Sequence, residues 1–239
     1  MTLQNSPDEE KKQDQRSEQK TDRIVELGSS VVTNRHGTIH CLTIIGQIEG
    51  HTNAPDNAKT TKYEHLLPLL ASLEESDEVD GVLILLNTVG GDVEAGLALA
   101  EMIAGMTKPT ATLVLGGGHS IGIPLAVSGR INMIAPSASM TVHPVRMSGT
   151  MIDAPQTYRY FDKLQESIVR FVAAHSQIRA ETFRELMLRT DEMANDVGSV
   201  LYGEDAVALG LMQQVGTLKD ALAALYRAID EDKKQRDKN

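Results

Sequence analysis

Short apolar, β-branched runs alternate with stretches of helical spacing along this chain, and that alternation constrains its fold more than any other feature. Thr38–Ile45, Val82–Leu86 and Ala111–Leu115 read as buried strands. Tyr63–Leu73 and Glu94–Met106 carry apolar residues three or four apart, the spacing of one helix face. Ile121–Val127 is apolar and follows Gly-rich sequence, so a buried helix is expected to start there. Ile131–Ile134 and Ser139–Val142 read as two more strands. Such an order points to an α/β fold with a mainly parallel sheet and flanking helices. Past Pro155, a residue tolerated in a first helical turn, Tyr158, Phe161, Leu164, Ile168 and Phe171 recur at helical spacing. They predict a long amphipathic helix that either packs in the core or projects toward a second subunit.

Composition narrows the partners. The 239 residues are 41% apolar, but only 3% aromatic with no Trp, so the core must be aliphatic. Residues 1–22 are almost wholly polar and are expected to be disordered, as is a charged tail over 230–239. One folded domain is expected over 23–229. The net charge of −10 is spread along the chain, which argues against nucleic acid as the main partner. Cys41, the one cysteine, can form neither an internal disulfide nor a cysteine metal site, and no metal or cofactor is expected. The N-terminus has no apolar leader and no run is long enough for a membrane span, so the expected compartment is the cytoplasm.

Two Gly-rich segments carry the candidate chemistry. Gly118-His119-Ser120-Ile121-Gly122 sits between a predicted strand and a predicted helix. A serine on such a sharp turn exposes its hydroxyl, and the helix start supplies N–H groups near a developing oxyanion. Of the seven histidines, His143 closes a predicted strand, where catalytic side chains of parallel sheets collect. His119 adjoins the serine and is expected to point elsewhere. The second segment, Asn87-Thr88-Val89-Gly90-Gly91-Asp92, is read as a strand-to-helix turn whose amides could face a bound carbonyl. It lacks the lysine and spacing of a phosphate loop.

The order of strand, N-T-V-G-G, helix, strand, G-x-x-S-x-G, helix and S-x-x-M-x-V-H-P resembles the proteolytic subunit of the Clp proteases. More closely, it resembles the translocation-enhancing, TepA-type branch of that family. The resemblance spans about Val31 to Val215 and implies a crotonase-like fold and a serine endopeptidase acting on peptides or unfolded protein. It puts the nucleophile at Ser120, the general base at His143 and the oxyanion amides at Gly90 and Ile121, beside Gly91. Ungapped, it puts Gly198 at the acid position. A short insertion makes Asp196 the acid, with Asp191 the second choice. Thr88-Val89 replaces the usual Ser-Pro, and Pro144 follows His143 where the family has Gln.

The resemblance further implies a homo-oligomer of stacked rings joined by the helix over Gln156–His175, a possible ATPase partner, and a link to protein export. Four alternatives stand beside it. They are a thioester-binding crotonase relative, an α/β-hydrolase using Asp153 and His175, a Ser–Lys peptidase using Lys163, and an inactive export-assisting scaffold.

Overall fold

The computed structural model describes residues 28–146, 153–191, 197–236 and 238. The N-terminal segment expected to be disordered, residues 1–22, lies outside the described residues, as does Asp196.

A nine-stranded sheet forms the centre. Its strands are β1 (Ser29–Asn34), β2 (Gly37–Glu49), β3 (Thr60–Lys62), β4 (Gly81–Gly91), β5 (Thr110–Gly118), β6 (Ile131–Ile134), β7 (Ser139–Val142), β8 (Ser199–Tyr202) and β9 (Gln214–Val215). The main path runs β1-β2-β4-β5-β6-β9. Only the β1–β2 hairpin on this path is antiparallel; the steps from β2 to β9 are parallel. β3 adds to the end of β2. β7 joins the far end of β5 through one residue pair, Gly117 with Ser139, and β8 runs antiparallel to β7. This is the mixed α/β architecture of the crotonase-like fold.

The helices are α1 (Tyr63–Glu75), α2 (Val93–Ala104), α3 (Gly122–Val127), α4 (Ala154–His175), α5 (Ala180–Leu188), α6 (Gly203–Ala208) and α7 (Leu218–Arg236). One face of the sheet carries Ile44, Ile84, Leu86 and Val114, buried under Leu70, Leu99, Ile103 and Leu125 from α1, α2 and α3. The opposite face carries Ile39, Leu83, Leu113 and Met133 under Ala221, Leu225 and Ile229 of α7. Each such Leu or Ile contributes about 1.5–3 kcal/mol on burial, so these two aliphatic layers supply the main stabilising force.

Two predicted strands are longer in the structure than their apolar runs. β4 continues through Asn87–Gly91, so the segment expected to be a turn is strand. Its glycines stay in the ladder because a bulge absorbs one residue: Gly46 pairs with Thr88, but Gln47 pairs with Gly90. Val89 is the extra residue and is 65% exposed. β5 likewise runs on to Gly118, and its ladder with β4 jumps from Leu86–Val114 to Thr88–Gly118. Asn87 fills the gap, its Oδ1 accepting from the Gly117 N–H at 2.9 Å.

The expected charged tail is also ordered through Arg236, as the last turns of α7. Its charges explain why. Asp230 meets His36 at 3.2 Å, Asp232 meets Arg130 at 3.0 Å and Lys233 meets Asp80 at 3.0 Å. Apolar patterning cannot register such pairs. The long helix α4 starts two residues earlier than expected, at Ala154. Its aromatic stripe divides: Phe171 is buried in the core, while Tyr158 and Tyr160 on the first half are exposed.

Burial works to raise the Asp80 carboxyl. The Thr38 N–H, the Lys233 bond and the Lys233 and Lys108 charges outweigh it and hold the group below its ordinary value. A carboxyl depressed on folding contributes stability that is present above its unfolded pKa and lost as pH falls through the folded one. Asp80→Asn should therefore cost about 1 kcal/mol at neutral pH, discounted for partial exposure. Urea melts should show that difference shrinking once the pH drops below the ordinary aspartate value.

Candidate active site

Two residues past the end of β5 stands a single strained residue. Ser120 has φ 57°, the one non-glycine residue with positive φ among the described residues. That left-handed conformation costs a non-glycine residue about 1–2 kcal/mol. It persists because neighbours fix the turn from both sides. The Ser120 N–H donates to the Thr141 carbonyl at 2.9 Å, and the His119 N–H donates to the Thr88 carbonyl at 3.1 Å. The Ile123 N–H then donates to the Ser120 carbonyl at 3.0 Å as α3 begins. The seryl side chain is left half-buried at the rim of a small cavity.

His143, one residue past β7, lines the same cavity of about 130 Å³. The other walls are mostly apolar: Val93, Ile123, Ile168, Phe183 and Met187, with Gly91 at the edge. The His143 ring places Nδ1 2.7 Å from the Pro144 carbonyl. Nδ1–H donates there, which leaves Nε2 as the proton-accepting nitrogen a general base requires. The predicted nucleophile and base thus meet at one site although 22 residues separate them.

Gly90 sits directly against Ser120. A Cβ there would come within 2.7 Å of Ser120 Cβ and 3.3 Å of its Oγ, and its φ is +90°. The Gly90 N–H is held by Thr88 Oγ1 at 3.0 Å, and that hydroxyl donates to the Gly46 carbonyl. Gly91, with φ 153°, stacks tightly on the backbone of Ile48. The Ile121 N–H stands at the N-cap of α3, among the amides a helix leaves unpaired at its start. Gly90 and Ile121 therefore flank Ser120, as expected of oxyanion donors, with the Gly90 amide in a local bond to Thr88.

The neighbourhood of the acid is less direct. Gly198, at φ 135°, packs on the base: a Cβ there would stand 3.0 Å from His143 Cβ and would collide with the Val142 carbonyl. Its N–H donates to the Arg189 carbonyl at 2.7 Å. Asp191 is exposed and lies 3.8 Å from Arg189.

The rival constellations do not assemble. Asp153 caps the start of α4 through the Gln156 N–H at 3.2 Å, while His175 ends the same helix, bonded to the Phe171 carbonyl and stacked on its ring. A helix of 22 residues holds its ends roughly 30 Å apart, so the α/β-hydrolase alternative fails. Lys163 is exposed on α4. His119, expected to point elsewhere, does not line the cavity, and its Nδ1 lies 2.8 Å from Thr141 Oγ1. Adjacency in sequence hid this, because the contact depends on β7 crossing behind the turn. Among the described residues, no group of three or more His, Cys, Asp or Glu is arranged to hold a metal ion.

Residues 36–219 match the profile of the family described as Clp protease. The chain belongs to the Clp protease family. Within the family it falls in the TepA-like branch. It is 50% identical over 211 residues to the Translocation-enhancing protein TepA of Halalkalibacterium halodurans, covering 88% of this chain and 82% of that protein. It is 26% identical over 199 residues to a protein of Methanocaldococcus jannaschii named "Putative protease MJ0651", covering 72% of this chain and 62% of that one. In this Clp-type chain the strained serine, the histidine and the Gly-Gly strand occur in the order expected from the family motifs.

The strain at Ser120 makes a prediction. Ser120→Gly should melt at higher denaturant than Ser120→Ala by about 1 kcal/mol, because only glycine adopts the left-handed turn without penalty. Equal midpoints would mean that the turn relaxes once the hydroxyl is removed.

Proposed function

We propose that this chain is a serine endopeptidase of the Clp type that hydrolyses peptides or unfolded protein segments. The observation that carries this reading is one cavity lined by both Ser120, strained and half-buried at a strand-to-helix turn, and His143. His143 Nε2 takes the Ser120 hydroxyl proton as Oγ attacks the scissile carbonyl. The proton then passes to the leaving amine, and water repeats the cycle on the acyl-enzyme. The Gly90 and Ile121 amides receive the oxyanion, the Gly90 N–H exchanging its Thr88 partner for the substrate oxygen. Asp196, which the family pattern reaches with a short insertion, is the proposed acid. The apolar cavity walls favour an apolar side chain next to the cleaved bond.

The exposed first half of α4, with Tyr158 and Tyr160, supports its use as a contact between subunits of a ring. A cytoplasmic location is proposed with it. Among the described residues no helix is long and apolar enough to cross a membrane. The likeness to a protein named for enhancing translocation supports a link to protein export.

An inactive export scaffold is the second reading. One observation favours it: Gly198, the residue that the ungapped alignment puts at the acid position, packs against His143 and carries no carboxylate.

Labelling by a fluorophosphonate separates the two. The peptidase reading expects one adduct per chain, on Ser120, absent from Ser120→Ala. His143→Ala should slow labelling about 10²–10⁴-fold, the usual worth of a general base. Asp196→Asn should slow it by roughly tenfold or more, since the histidine loses its orienting charge. A folded oligomer that takes up no probe at Ser120 would instead establish the scaffold.

A further inference from the structure

We propose that His119 and Thr141 form a positioning pair that fixes the nucleophile turn against the strand carrying the general base. The proposal rests on the Ser120–His143 reading and adds two residues to it that the family pattern does not supply.

The problem these residues solve is topological. Ser120 belongs to the end of β5 and His143 to the end of β7, and the two strands share one ladder pair, Gly117 with Ser139. One pair leaves a strand free to pivot, so the distance from nucleophile to base needs further restraint. Thr141 supplies it with both of its oxygens. Its carbonyl accepts from the Ser120 N–H at 2.9 Å, and its hydroxyl meets His119 Nδ1 at 2.8 Å. Thr141 lies two residues before His143, so both contacts fall next to the base.

The rest of His119 is fixed as tightly. Its own N–H donates to the Thr88 carbonyl of β4 at 3.1 Å. Its ring lies flat against the backbone of β5: a Cβ on Gly117 would collide with Nε2 and would stand 2.6 Å from Cδ2. His119 therefore touches β4, β5 and β7 where the small sheet leaves the large one. This also gives Gly117 its purpose, because any side chain there would evict the imidazole. With Nδ1 engaged and Nε2 against main chain, His119 is not a competing base. Burial, and then the charge of nearby His143, hold its protonation below the ordinary histidine range, so the ring stays neutral while it positions. The Thr141 hydroxyl suits either tautomer, since it can donate or accept.

Two measurements on the full-length chain test the pair. The first is the second-order rate of Ser120 labelling by a fluorophosphonate. His119→Ala and Thr141→Val should each lower it at least about tenfold, and the double variant should fall little further, as coupled residues do. His119→Asn keeps a polar atom near the Nδ1 position and Thr141→Ser keeps the hydroxyl. Both should stay within about threefold of the parent, a rescue that a role in bulk packing would not give. The second is hydrogen exchange at the Ser120 amide, which needs no catalysis. It should speed up in His119→Ala and Thr141→Val and remain slow in the conservative variants. Labelling and exchange unchanged in His119→Ala would overturn the pair. A parent chain that never labels, yet shows the exchange pattern, would keep the pair as a clamp and overturn the peptidase reading.

Discussion

The hydrogen bond from the Ser120 N–H to the Thr141 carbonyl joins the two parts of the molecule that carry chemistry. On one side stands a parallel sheet whose strands bury Ile84, Leu113 and Val114 completely and so cannot shift. On the other stands the short β7–β8 ribbon, which delivers His143 and meets the large sheet at a single ladder pair. Because the large sheet is rigid, the strain at Ser120 can be stored there. The ribbon is held to the core by the buried Met140 and Val142 of β7. The site is thus a junction between the large sheet and the ribbon.

The glycines of this region follow from the same geometry. Gly90 must lack a side chain because Ser120 occupies that space, and Gly198 because the Val142 carbonyl and His143 do. Asn87 repairs the ladder that the long β5 interrupts, and Thr88 bonds both the Gly46 carbonyl and the Gly90 amide. The N-T-V-G-G motif therefore describes a bulged strand end packed against Ser120.

Much of this was legible in the sequence where burial sets the pattern. The β6 and β7 boundaries, and the helix after Ser120, follow from apolar runs and glycines alone. What sequence patterning missed depends on pairing across the fold. Asn87–Gly91 reads as a turn because glycine and asparagine favour turns, yet a bulge and side-chain bonds keep it in the sheet. Residues 230–236 read as a solvated tail because they are charged, yet Asp230 meets the His36 ring, and Asp232 and Lys233 meet the opposite charges of Arg130 and Asp80. His119 reads as a bystander because its partner, Thr141, comes from 22 residues away. Gly198, which the ungapped alignment puts at the acid position, lies against His143.

The central claim is that Ser120 and His143 act on one carbonyl carbon. A peptide chloromethyl ketone with an apolar terminal residue tests this directly, because it forms a hemiketal with the serine and alkylates the histidine. Intact-mass and peptide-mapping measurements should find one reagent per chain, bonded to His143, with no alkylation in Ser120→Ala. Alkylation of His143 that persists without Ser120, or that falls on another histidine, would contradict the account.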